Sequence, residues 1–284
     1  MPSVQSAPHH VLDEAYARYV WLSSVLLELF ASCYVSVYCG LIIHRCHTRQ
    51  RLRIVVLAGL AFCAIGIIFL LYSSVTINAL NKVVFAFTYQ ALVESGRYGP
   101  MFLMNVNGVV SIINGLAIIA PAIAILAACS TLAPPADSRV QDLQYLTEQM
   151  QHLKEVLNAG SALLVAGILH MGAWLRWPAA LVSDKAMQEG VMNLALAITL
   201  FWGATFTLVI VATYGPAASR LSTQASRVIK EGSEAGKIED PHKWLSDHGL
   251  VSSPMKQLPQ IAAMLAPLLA GPIGSVLSSL NLSG

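Results

Sequence analysis

Five stretches of this chain are almost free of charge: Tyr19 to Ile43, Ile54 to Ile77, Met101 to Leu132, Asn158 to Leu175 and Val191 to Tyr214. A helix needs about 20 apolar residues to cross a hydrocarbon core of about 30 Å. The first stretch nevertheless carries a carboxylate, Glu28, well inside it. The solvent implied is a bilayer, and Glu28 is the residue that costs most to bury there.

Composition agrees. Apolar residues make up 56% of the chain, charged residues 11%, and mean hydropathy is +0.62. Soluble domains carry about 25% charged residues, so a chain this poor in charge cannot keep 284 residues in water. A net charge of +2 is too mild for a nucleic-acid partner. The N-terminal segment has no basic run followed by an apolar core, so a cleaved signal peptide is not expected. Cys33, Cys39, Cys46, Cys63 and Cys129 fall in or beside the apolar stretches and read as small buried thiols rather than a disulfide framework.

Arg45, Arg49, Arg51 and Arg53 crowd the loop between the first two stretches. The positive-inside rule puts that loop in the cytoplasm and the N-terminus outside. Five spans then place twelve basic residues inside and five outside. Tyr16, Tyr19, Trp21, Tyr72, Tyr98, Trp174 and Trp177 gather at the outer boundary and read as an interfacial aromatic belt.

The fold class is therefore an all-α integral membrane bundle of about five transmembrane helices, N-terminus outside and C-terminus inside. Residues 1–18 form a short outer segment, and 19–132 hold three spans with an outer connection at 78–100. In that connection Val83 to Val93 is apolar but too short to cross, as in an interfacial helix or a continuation of the second span. Residues 133–157 form a cytoplasmic amphipathic helix, 158–219 a transmembrane hairpin, and 220–284 a cytoplasmic tail with an apolar, membrane-associated end. Pro267, Pro272, Gly271 and Gly274 interrupt that end. They favour two short apolar helices on the bilayer or the bundle, with a kinked sixth span as the alternative.

Ser24, Glu28, Ser32, Ser36 and Gly40 recur every four residues and so share one face of the first span. That face reads as a pore or ion path, or as a close packing seam with Glu28 hydrogen-bonded to a neighbour. His170 lies at a matching depth in the fourth span, so a Glu28–His170 contact is geometrically allowed, while a His170 bonded to a serine or a backbone carbonyl is the blander reading. Asn105, Asn107, Ser111 and Asn114 form a polar cluster on the third span, beside Pro121. It reads as a helix-gluing network, or as a locally opened binding site of the kind transporters use. Gly59, Gly66 and Ser73, Gly160 and Gly167, and Thr199, Gly203 and Thr207 are small-residue seams. Leu143, Leu146, Met150, Leu153 and Leu157 follow spacings of 3, 4, 3 and 4. They form an association seam that meets either the fifth span's extension or another subunit.

His44, Cys46 and His47, and Asp240, His242, Asp247 and His248, lack the spacing of a structural metal site, so no metal is expected. A lone core histidine argues against a bis-histidine haem, and no other cofactor is expected. No phosphate-cradling loop, H-E-x-x-H or G-x-S-x-G is present, so the chain does not read as an enzyme.

The function expected from these residues is a homo-oligomeric, gated ion-conducting or membrane-perturbing pore, controlled through its cytoplasmic segments. The alternatives are an anchoring subunit of a larger membrane complex and a small-molecule or ion-coupled transporter. Partners are the lipid bilayer, further copies of the chain and a membrane or cytoplasmic protein, with no nucleic acid. A bacterial inner (plasma) membrane is the expected location, an organellar membrane the alternative.

Overall fold

The computed structural model describes residues 8–75, 82–134, 143–234 and 254–280. They form seven α-helices and no strand: α1 (Pro8–Cys46), α2 (Arg49–Val75), α3 (Phe87–Glu94), α4 (Pro100–Ser130), α5 (Leu143–Arg176), α6 (Lys185–Glu234) and α7 (Pro254–Leu280). All but α3 are long and apolar enough to cross a membrane. The chain is an all-α bundle of membrane-protein composition.

Local chemistry sets the boundaries. Pro100 opens α4, where its missing N–H costs nothing, after an extended Gly99. Asp184 caps α6 by accepting the Met187 N–H at 2.9 Å. Pro178 helps end α5, which passes into a 3-10 turn at Trp177–Leu181. Helix α5 runs unbroken from the leucine seam through the fourth apolar stretch, as one projecting helix would.

Side-chain contacts fix the directions. Helix α1 runs antiparallel to α5, through Glu28 near Gly167, Tyr38 on Glu155 and Cys46 on Gln149. It runs parallel to α4, through Glu14 on Tyr98 and His47 on Ser130. The bundle thus has a tryptophan end (Trp21, Trp174, Trp177) and an arginine end, where the Arg45–Arg53 loop lies. Helix α2 packs chiefly on α4. Gly59 and Gly66 meet Leu126 and Ile118 there, while Ile54, Leu57, Leu60, Ile65 and Ile68 stay exposed.

The last apolar segment departs from expectation. It is one helix, α7, rather than two short ones. It lies along α5, since Ser161 donates to the Ala263 carbonyl and Arg176 Nη1 donates to the Gly274 carbonyl at 2.7 Å. It therefore runs parallel to α5 and heads toward the tryptophan end. Its prolines are tolerated because the bundle satisfies what they disturb. Pro267 has no N–H for the Ala263 carbonyl one turn back, and Ser161 takes its place. On α6, Gly203 and Thr199 lie directly against Pro267 and Gly271. The small seam on α6 is thus the seat of α7. Since residues 257–284 carry no charge, the basic-residue count is identical with five or six spans.

The tryptophans also depart from expectation. Trp21, Trp174 and Trp177 are buried, while Tyr16, Tyr19 and Tyr72 are exposed. The indole N–H of Trp174 donates to the Val84 carbonyl at 3.0 Å, and its own carbonyl accepts from Thr88. A Trp whose polar edge is satisfied inside the protein has no need of the headgroup layer. Helix α3 therefore sits as a cover on the tryptophan end, with Val84, Thr88 and Leu92 buried beneath it.

The leucine seam is occupied within the chain. Leu146, Met150, Leu153 and Leu157 are buried and Leu143 is half-buried. All but Leu157, which lines a cavity, belong to a core completed by Leu221, Ala225 and Ile229 of α6, so this face is packed within the chain. All five cysteines are free, but only Cys39 is buried; Cys33 and Cys129 are exposed.

Candidate functional site: a polar pair between an aromatic seal and a cavity

The four-residue repeat on α1 turns Ser24, Glu28 and Ser32 toward protein, and all three are buried. Ser36 and Gly40 are half-buried. The stripe is a packed face, not the wall of an open channel within one chain. It faces α5, where Gly167 leaves room for a carboxylate: a Cβ there would lie 3.7 Å from Glu28 Oε1.

His170 Nδ1 stands 3.9 Å from Glu28 Oε2 and 3.4 Å from Ser24 Oγ. Ser24 gives its own proton to the Trp21 carbonyl at 2.7 Å. A Ser24–His170 hydrogen bond therefore needs the proton on His170 Nδ1, pointing between Ser24 and Glu28. Glu28 Oε2 is buried with no hydrogen-bond partner among the described residues. Two opposite charges at this separation attract by about 4 kcal/mol at an effective dielectric of about 20. The pair is net neutral either as neutral acid with neutral imidazole or as carboxylate with imidazolium. One proton more or fewer leaves a lone charge in the bundle, which is costly.

On one side of the pair lies an aromatic stack. The Trp21 ring sits 6.4 Å from His170, 5.7 Å from Trp174 and 5.0 Å from Trp177. Tyr98 and Phe102 close on the edge of Trp177. The Tyr98 hydroxyl donates to Glu14 at 2.6 Å, and Arg18 pairs with the same carboxylate at 3.7 Å. Burial and the Glu14 carboxylate both push the Tyr98 hydroxyl above its usual range.

On the other side lies a cavity of about 220 Å³ between α4, α5 and α6, with Glu28 in its lining. Its α4 wall is Ala117, Pro121, Ala124, Ile125 and Ala128. Ala117 and Val209 are exposed, so the cavity opens sideways from the bundle.

At the arginine end a set of polar clasps ties α1 to α4 and α5. The Tyr38 hydroxyl donates to Glu155 Oε2 at 2.6 Å. Partial burial would raise the Glu155 carboxyl, but hydrogen bonds from Tyr38, Gln151 and His152 outweigh it and hold it below the usual range. His47 lies 3.0 Å from Ser130 Oγ, and Ser130 gives its proton to Leu126, so His47 Nε2 is the donor. Burial and the nearby Arg51 hold His47 below its ordinary value.

The structure thus joins Ser24, Glu28 and His170, and it separates the other candidates from them. Asn105, Asn107 and Ser111 are exposed on α4 and Asn114 is half-buried; Ser111 bonds only the carbonyl of Asn107 on its own helix. No helix-gluing asparagine network forms among the described residues. No cluster of three metal-ligating side chains occurs among them either; Asp240, His242, Asp247 and His248 lie outside them. The aromatic seal was legible in the sequence only as a belt. The cavity's one sequence signal is the alanine-rich run around Pro121. No protein-family model, curated protein or solved structure matches this chain.

Proposed function

We propose that this chain is an ion-coupled membrane transporter in which Glu28 and His170 carry the coupling proton. The observation behind this reading is the asymmetry around the pair: stacked indoles on one side, a cavity on the other. A pore needs a path continuous from face to face. A transporter needs a site that meets one side at a time, and a neutral pair that moves one proton between two partners suits that role. The arginine loop puts the arginine end in the cytoplasm, so the sealed side faces out and the cavity lies toward the inner half. Helix α7 then runs toward the outer side. The seal rests on ring packing, and Trp21 Nε1 is buried with no partner among the described residues. The Trp21 ring can therefore part from its neighbours without losing an indole hydrogen bond, while Trp174 and Tyr98 stay tied to Val84 and Glu14.

The test is proton movement in liposomes containing the purified chain and a pH-sensitive dye. Wild type should carry protons without single-channel conductance, and Glu28→Gln should abolish this while the protein stays folded. Stepwise channel currents that survive Glu28→Gln would reject the reading.

A second reading concerns assembly. Asn105, Asn107 and Ser111 are exposed on α4 at bilayer depth, where polar side chains against lipid are disfavoured. A second copy covering this face would satisfy them, as expected of a homo-oligomer. Disulfide crosslinking through Asn105→Cys in the membrane tests it; no dimer with intact protein would exclude that interface.

A further inference from the structure

We infer that the cavity between α4, α5 and α6 is the substrate site and that its ligand is an amphiphilic amine: a hydrocarbon body with one ammonium group that sits against Glu28. This names the substrate class of the transport reading and rests on it.

The cavity reaches from Gly167 to Leu153 along α5, a rise of about 21 Å at about 1.5 Å per residue. It is long and narrow. Its walls are mostly alanine, leucine, isoleucine, valine and proline, joined by Phe206, with Gly160 facing Ala124 midway. Its volume of about 220 Å³ exceeds what one water needs, but ordered water also needs about two to four polar partners. The walls offer few beyond Glu28: Thr213 and Tyr214, both toward the far part. Thr213 lines the far part and spends its proton on the Val209 carbonyl at 2.7 Å. An apolar body fits such a space better than water does.

One end is different. Glu28 is 4% exposed, lines the cavity and has an oxygen with no hydrogen-bond partner among the described residues. Leaving a buried acceptor unmatched costs about 1–3 kcal/mol, and more if it is charged. An ammonium head offers three donors and the compensating charge. An acid would set two carboxyls together, and a plain alkane would leave the oxygen bare. His170, 3.9 Å away, is the other titratable group at this end, and Tyr214 lines the cavity further along. An ammonium beside Glu28 would take the place of a protonated His170 as its counter-charge. Substrate and proton then compete for one carboxylate, which is the linkage an exchanger requires. The sideways opening by Ala117 and Val209 lets such a molecule enter from the bilayer, where amphiphilic amines concentrate.

The experiment is equilibrium binding of radiolabelled decylamine to the full chain in phosphatidylcholine nanodiscs, with empty nanodiscs subtracted. Decanol and decanoate serve as competitors. Saturable binding is expected, with decanoate failing to compete and decanol competing at least tenfold less well than unlabelled decylamine. Glu28→Gln should weaken binding at least tenfold and Glu28→Asp much less, with tryptophan fluorescence confirming that each variant is folded. Ala124→Leu, which fills the middle of the cavity, should also weaken it at least tenfold. Equal competition by decanol, or wild-type affinity in Glu28→Gln, would overturn the ammonium site. Unchanged binding in Ala124→Leu would place the ligand elsewhere and overturn it too. Amine binding without proton movement would keep the site and remove the transport reading; proton movement without amine binding would do the reverse.

Discussion

The two halves of the bundle are packed by opposite rules. The tryptophan half is filled by large rings, with Trp21, Trp174, Trp177, Leu92 and Leu175 at its core. The arginine half is built on small residues, Ala120, Ala124, Ala127, Ala128, Ala159, Ala217 and Ala225, with aliphatic neighbours. Big rings close space, whereas alanines bring helices near without filling what remains between them. The half whose buried core carries no aromatic ring is the half with the cavity, with Phe206 and Tyr214 reaching its lining. Glu28 and His170 lie where the two rules meet, so the carboxylate has a seal on one side and room on the other.

Four changes would break or sharpen that contrast. The largest effect belongs to the junction itself. Glu28→Gln is expected to abolish proton movement in liposomes, while thermal unfolding in detergent shows a folded protein. His170→Gln should do the same, and unaltered transport in either would separate the pair from function.

Next comes the seal. Trp21→Ala should cost about 3–5 kcal/mol, as removal of a buried large aromatic does. It should also expose a cysteine placed at Ser24 to a membrane-impermeant thiol reagent added outside. With Trp21 intact, that cysteine should stay unreactive from that side; equal labelling in both would mean that the indoles seal nothing.

The seams rank third. A Cβ on Gly203 would lie 2.6 Å from the Pro267 carbonyl oxygen, which is backbone and cannot step aside. Gly203→Ala should therefore destabilise the α6–α7 contact by about 1–3 kcal/mol. At Gly59 the Cβ would meet only the tip of Leu126, at 2.7 Å, so Gly59→Ala should be nearly neutral. Equal melting shifts would show that α7 is not seated as described.

The smallest effect is at the arginine end. Glu155 is held below the usual carboxylate range, so its clasp with Tyr38 favours the folded state above that range. The contribution is fully present above the ordinary glutamate range and fades as pH falls through the lowered value. Tyr38→Phe should cost about 1 kcal/mol at pH 7 and converge with wild type in acid, as measured by chemical unfolding at the two pH values.

Much of the fold was legible because bilayer burial imposes a one-dimensional rule: apolar length. Helices α1, α2, α4, α5 and α6 follow from it directly. The matching depths of Glu28 and His170, counted inward from Tyr19 and Arg176 at a fixed rise per residue, made their contact allowed but did not decide it, since depth does not say which faces meet. Helix α7 did not follow, since Pro267 and Pro272 within it read as breaks. Only a neighbouring Ser161, donating to the freed Ala263 carbonyl, shows how one of them is accommodated. The tryptophans were misread for a similar reason. A sequence gives their depth but not their azimuth, and azimuth decides between lipid and core.

The sequence by itself determined that the chain is helical, apolar enough for a membrane and burdened with one deep carboxylate, because those properties depend on composition and spacing along a single helix. Only the tertiary structure decided what surrounds that carboxylate. The seal joins Trp21 of α1 to Trp174 and Trp177 far along the chain, and the cavity is walled by α4, α5 and α6; these contacts depend on which faces meet when the helices pack.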